Sequence, residues 1–175
     1  VKKDVDGGKA LAAFKAFWSK MEPVLNAERR TGSRAISKAE DPVDALRLQL
    51  RRHVGFVANN LGVVLQDLGR DQDAFELYEL VLRTIDCDNI CALFNEFEMA
   101  RAGVPAAVAR KAEIEKQLKA IVDDPKRRYM LWSLSRYYGY IRSPEIFARM
   151  GYAWARSGQT GNAIAQVQRA IDFVP

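Results

Sequence analysis

Histidine and cysteine are nearly missing from this chain, with one of the first and two of the second in 175 residues, and that narrows its chemistry at once. Cys87 and Cys91 stand four apart with no histidine nearby, too few ligands for a zinc site, and read as plain buried or half-buried thiols. His53 lies beside Arg51 and Arg52 and reads as an ordinary helix histidine. No glycine-rich phosphate loop is present, since Gly7-Gly8-Lys9-Ala10 has neither the spacing nor the hydroxyl of one. Nor is there a nucleophile elbow or a paired metal motif. The carboxylate pairs Asp71/Asp73 and Glu96/Glu98 fall at a helix start or two apart on a helix, where they do not converge. The expectation is a protein that is not an enzyme and uses no cofactor or metal. Long apolar runs are absent too: nothing approaches the roughly 18 to 20 residues that span a bilayer, so no membrane span is expected in this segment. The chain starts Val1-Lys2-Lys3-Asp4, without an initiator Met or an apolar leader, and is expected to be part of a longer protein, its compartment left open.

What is there is apolar periodicity with charge laid over it unevenly. Residues 42–100 carry 5 basic against 10 acidic side chains, whereas the chain as a whole is +5, so an acidic middle is flanked by basic ends that can steer charged partners. No segment alternates as a half-buried strand does. Leu11, Phe14, Trp18, Met21 and Leu25 recur at helical spacing and predict a helix from about Gly8 to Arg30, kinked or divided by Pro23. Thr31-Gly32-Ser33 stops it, and a polar loop follows to Glu40. Asp41-Pro42 opens a long helix through Leu68 that ends at Gly69, with a break expected near His53-Val54-Gly55. Asp71 and Asn89 are candidate caps for the next two helices. Val104-Pro105 opens a basic helix to Val122, Asp124-Pro125 one through Tyr140, Ser143-Pro144 one to Gly158, and Thr160 the last, ending at Pro175.

The spacing also repeats. Ala58, Leu61-Gly62, Leu65, Gly69, Ala74 and Tyr78 fit the pattern W-x-x-L-G-x-x-Y followed by A-x-x-x-F. Phe147, Met150-Gly151, Trp154, Gly158, Ala163, Val167, Ala170 and Pro175 fit it again, with larger residues in the bulky places. A step of 34 from Gly62 lands on Glu96, with Gly103 at the expected turn, in a degenerate copy. On these residues the chain resembles the tetratricopeptide repeat family over a little more than half its length. The resemblance implies an all-α fold: a right-handed superhelix of antiparallel helix hairpins, irregular in the middle. It makes residues 1–175 one helical domain with clear repeats at 55–88 and 144–175 and a weak one at 89–122. It further implies a scaffold or adaptor that binds a partner peptide or protein in a concave groove lined by the first helix of each hairpin.

On that reading the groove residues are Asn59, Val63, Gln66 and Asp67 of the first clear repeat, Leu93, Phe97 and Arg101 of the weak one, and Arg149, Tyr152 and Arg156 of the last. Amide, aromatic and guanidinium groups together suit main-chain hydrogen bonding and carboxylate recognition. No lysine stands among them, which speaks against the paired-lysine carboxylate clamp of co-chaperones. A second strip, Lys126, Arg127, Arg128, Arg136, Tyr137 and Arg142, interleaves cations with rings, as nucleic-acid binders do. The helical spacing of Tyr129, Trp132, Arg136 and Tyr140 favours core packing over that use, so nucleic acid is the less favoured partner. Self-association through an open end of the array, or service as the docking part of a larger enzyme, are the other readings.

Overall fold

The computed structural model describes residues 5–26, 42–124 and 138–172, and among them there is helix and no strand. The elements are α1 (Gly7–Asn26), α2 (Pro42–Asp67), α3 (Asp71–Leu80) continued by a π-turn (Val81–Ile85), α4 (Ile90–Arg101), α5 (Pro105–Ala109), α6 (Lys111–Val122), α7 (Pro144–Arg156) and α8 (Thr160–Asp172). The chain is all-α, as its periodicity predicts. It forms two compact units, Val1–Ile141 and Arg142–Pro175, described separately below. The expected loop to Glu40, the Asp41 cap, the helix opened by Pro125, most of the basic strip and the last three residues lie outside the described residues.

In the first unit the apolar stripe of α1, Leu11, Phe14, Trp18 and Leu25, is buried in one core with Val54, Ala58 and Leu65 of α2 and Phe75, Leu77 and Tyr78 of α3. Helix α1 is not divided at Pro23. The proline removes the amide that would bond the Ser19 carbonyl, and the helix nevertheless continues to Asn26. Nor does α2 break at Gly55: a Cβ there would lie 2.9 Å from Asp86 Cβ, so the glycine makes room for the turn after α3. Arg51 ties three elements together, donating to the Leu25 carbonyl at 2.7 Å and the Thr84 carbonyl at 3.1 Å, acceptors that helix ends leave over.

One turn recurs three times. Gly69, Gly103 and Gly158 have φ of 71°, 84° and 76°, a left-handed conformation that costs glycine little. At each, the glycine amide donates to the carbonyl three residues back and the next amide to the carbonyl five back: Gly69 to Gln66 and Arg70 to Leu65, Gly103 to Ala100 and Val104 to Met99, Gly158 to Ala155 and Gln159 to Trp154. These paired bonds close a helix in the Schellman manner, and the following helix begins two residues after each glycine. Asp71 is thus the first residue of α3 rather than its cap; Arg70 holds the cap position and pairs with Asp73 at 2.6 Å. Asn89 and Ser143 do cap, accepting from the Ala92 and Ile146 amides.

Where paired helices approach, two of the three hairpins use glycine. A Cβ on Gly62 would overlap the Tyr78 ring, 2.7 Å from Cζ, and one on Gly151 would lie 2.7 Å from Val167 Cγ2. In the middle hairpin that place is held by Glu96, completely buried. Its second helix breaks at Arg110, between α5 and α6, and the freed guanidinium lies 3.8 Å from Glu96 while also pairing with Glu79 and, at 3.1 Å, with Glu113. The helix expected without interruption from Pro105 to Val122 is therefore two.

In the second unit α7 and α8 pack together on Phe147, Gly151, Ala163 and Ala170. Ile164, Val167 and Ile171, three and four apart, leave an apolar stripe of α8 exposed.

Candidate functional site

The described part of the helix expected to reach Tyr140 is not helical: Tyr138 to Ile141 run as turn and irregular chain, with Gly139 at φ 102°. Backbone polar groups that leave a helix must find other partners or lose free energy. Here they find asparagine side chains. Asn59 and Asn95 both donate through Nδ2 to the Tyr140 carbonyl, at 2.8 and 3.0 Å. Asn60 Oδ1 accepts from the Tyr140 amide at 2.8 Å. Asn89 Nδ2 donates to the Tyr138 carbonyl at 3.2 Å while its Oδ1 caps α4. Asn95 also donates to Asn59 Oδ1 at 3.0 Å, locking the two amides in orientation.

Two elements position this set. Asn59 and Asn60 are consecutive on α2, and Asn89 and Asn95 lie at the cap and in the second turn of α4, the helix that α3 and its π-turn bring back beside α2. Asn59, Asn89 and Asn95 are completely buried. A buried primary amide must use both its donor and its acceptor, and an extended backbone offers both. The site carries no net charge, so it can hold main chain without choosing among charged side chains. At its edge the Arg52 guanidinium lies 5.9 Å over the Tyr138 ring, and burial raises the Tyr138 hydroxyl pKa. Asp86, beneath Gly55 and Asn89, is buried, and desolvation lifts its carboxyl to about 6.

The residues expected on an open groove are placed unevenly. Asn59, Val63, Gln66 and Leu93 are buried and do not line an open groove. Asn59 is engaged by residue 140. Gln66 accepts from the Tyr78 hydroxyl at 2.8 Å, so it serves the hairpin core. Val63 faces inward with Gly62, and Leu93 lines a cleft of about 400 Å³ with Leu82, Arg83, Arg110 and Ile121. Asp67 is exposed. Phe97 is half-buried under Arg101, whose guanidinium lies 6.0 Å from the ring and which pairs with Glu98 at 3.3 Å. In the second unit Arg149, Tyr152 and Arg156 are exposed on α7, with Arg149 bonded to Glu145 at 2.5 Å. Of the basic strip, Lys126, Arg127, Arg128, Arg136 and Tyr137 lie outside the described residues, and Arg142 is half-buried. Tyr140, expected in a helix core, is half-exposed and off any helix because its backbone is held by asparagines.

Sequence reasoning missed Asn60 and Asn95 as site residues and saw in Asn89 only a cap. The signal was there: asparagine is a poor helix-interior residue, and Asn59, Asn60 and Asn95 sit inside strongly periodic helices. Among the described residues no group of three His, Cys, Asp or Glu side chains converges as a metal site would require, and no helix is long and apolar enough to cross a membrane. Cys87 is exposed and Cys91 buried, both as free thiols. No family model matches the chain, and no curated protein or solved structure matches it.

Proposed function

We propose that this chain is a helical-repeat scaffold of tetratricopeptide-like, right-handed superhelical build that holds a peptide segment of a partner protein and catalyses no reaction. The observation that carries the reading is the asparagine set on α2 and α4, whose side chains bond the Tyr138 carbonyl and both the amide and the carbonyl of Tyr140. Such bonds recognise a backbone that has left helical pairing and are indifferent to most side chains, as a peptide-holding scaffold requires. The three equivalent glycine turns support the repeat architecture, because one turn chemistry reused along a chain is how stacked hairpins are built. Arg101 in the first unit, with the half-buried Phe97 beneath it, and the exposed Arg149, Tyr152 and Arg156 in the second are side chains of the kind such surfaces use.

The test is affinity capture with the whole chain beside an Asn60→Ala/Asn95→Ala variant, followed by identification of what is retained. A discrete protein held by the wild type and lost from a variant of equal helix content is the expected result. Equal retention by both would remove the asparagines from the binding surface.

A further inference from the structure

The reading of α2 and α4 as a main-chain holder leaves open which segments fit, and Gly139 narrows the choice. Its φ of 102° lies where residues with a side chain are strained, and a Cβ there would stand 2.6 Å from both Asn59 Nδ2 and Asn60 Oδ1 and 3.2 Å from the Phe56 carbonyl oxygen. The two amides cannot retreat without leaving the Tyr140 backbone, and the Phe56 oxygen belongs to the α2 backbone. The flanking positions differ sharply. Tyr138 is 4% exposed, with Arg52 over its ring, whereas Tyr140 is 52% exposed and is held by the described residues through its backbone. The site thus reads an aromatic side chain, demands glycine next, and leaves the following side chain unread.

Resting on the main-chain-holding function above, we propose that the asparagine site selects non-helical protein segments of the form aromatic, glycine, any residue, with the glycine in a positive-φ conformation. Tyr138-Gly139-Tyr140 is then an internal copy of that ligand which competes with the partner's segment for the same four asparagines. A closed internal copy lowers the apparent affinity for an external one by the fraction of chains in which the site is vacant.

The probe is a labelled synthetic peptide spanning Arg136–Ser143, with a second peptide in which the glycine is alanine. Each is titrated against the whole chain as wild type, as Gly139→Val, whose own copy no longer fits, and as Tyr140→Pro, whose own copy has lost the amide proton that Asn60 accepts. Either vacated variant, folded by circular dichroism, should bind the glycine peptide at least about tenfold tighter than the wild type does, a difference of about 1.4 kcal/mol. The alanine peptide should bind neither, and adding Asn60→Ala/Asn95→Ala should abolish the gain. If the vacated variants bind both peptides equally through Asn60 and Asn95, the glycine rule falls and the main-chain-holding function stands. If they bind neither, both fall. Loss of folding in both variants would make residues 138–140 a fixed part of the core and would overturn the proposal.

Discussion

Gly62 and Glu96 hold the same place in consecutive hairpins, 34 residues apart, and meet the close approach of two helices in opposite ways. Gly62 removes its side chain so that Tyr78, completely buried and bonded to Gln66, can cross. Glu96 buries a carboxyl instead, and the partner helix breaks at Arg110 to face it with a cation. The first solution rests on close packing and one neutral hydrogen bond. The second makes part of the stability of the first unit depend on protonation, because desolvation raises the Glu96 carboxyl from its ordinary 4.5 to about 8, with Arg83 opposing and Glu113 adding to the shift. The same place in a helix hairpin can thus be filled by packing or by a buried carboxyl, and the two respond to different perturbations.

The comparison breaks most severely at the glycine. Gly62→Ala forces a methyl into the Tyr78 ring where both helices are buried, and should cost about 3 kcal/mol in chemical unfolding, the upper end for an overpacked core. Asn95→Ala comes next, at about 2 kcal/mol, because it takes one donor from the Tyr140 carbonyl and leaves the Asn59 Oδ1 acceptor short of a partner in a buried setting. A loss below about 0.5 kcal/mol in the same assay would mean that these amides carry no stabilising bond.

Glu96→Gln sharpens the contrast between the two hairpins. Both Glu96 and Asp86 have folded pKa values raised above the unfolded ones, so each contributes stability at low pH that is lost as pH rises through its own window. Asp86 loses its share between about 4 and about 6, and Glu96 between about 4.5 and about 8. The wild-type melting temperature should therefore fall by a few degrees from pH 6 to pH 9, on the scale of about 2 to 4 °C per kcal/mol for a chain of this size. Glu96→Gln should flatten that upper window and leave the Asp86 window below it unchanged. The smallest effect is expected from Gly151→Ala, about 1 kcal/mol in the second unit, since Val167 is partly exposed and can turn aside.

Much of this arrangement was legible in the sequence. The helical stripes of α1 to α4, the capping role of Asn89, and the left-handed glycines at 69, 103 and 158 follow from spacing and local backbone chemistry. The break at Arg110 did not, because nothing in the local sequence from Pro105 to Val122 interrupts a single helix, and the Arg110 contacts with Glu79 and Glu96 come from other helices. Nor did the run at Tyr138–Ile141: its rings sit at helical spacing, and what overrides that local preference is a set of side chains lying about 45 to 80 residues away. Groove residues were chosen by the repeat period, which fixes where a residue stands in a hairpin and not whether another segment covers it. That is why Asn59, read as groove-facing, is buried against residue 140.

The most direct measurement is hydrogen exchange at the Tyr140 backbone amide in the wild type and in Asn60→Ala. If Asn60 holds the backbone of residue 140, this amide, which lies outside any helix, is protected in the wild type and exchanges at least about tenfold faster in the variant, the loss of one hydrogen bond of about 1.4 kcal/mol. An amide that exchanges at the unprotected rate in the wild type, or one whose protection ignores the substitution, would contradict the asparagine site.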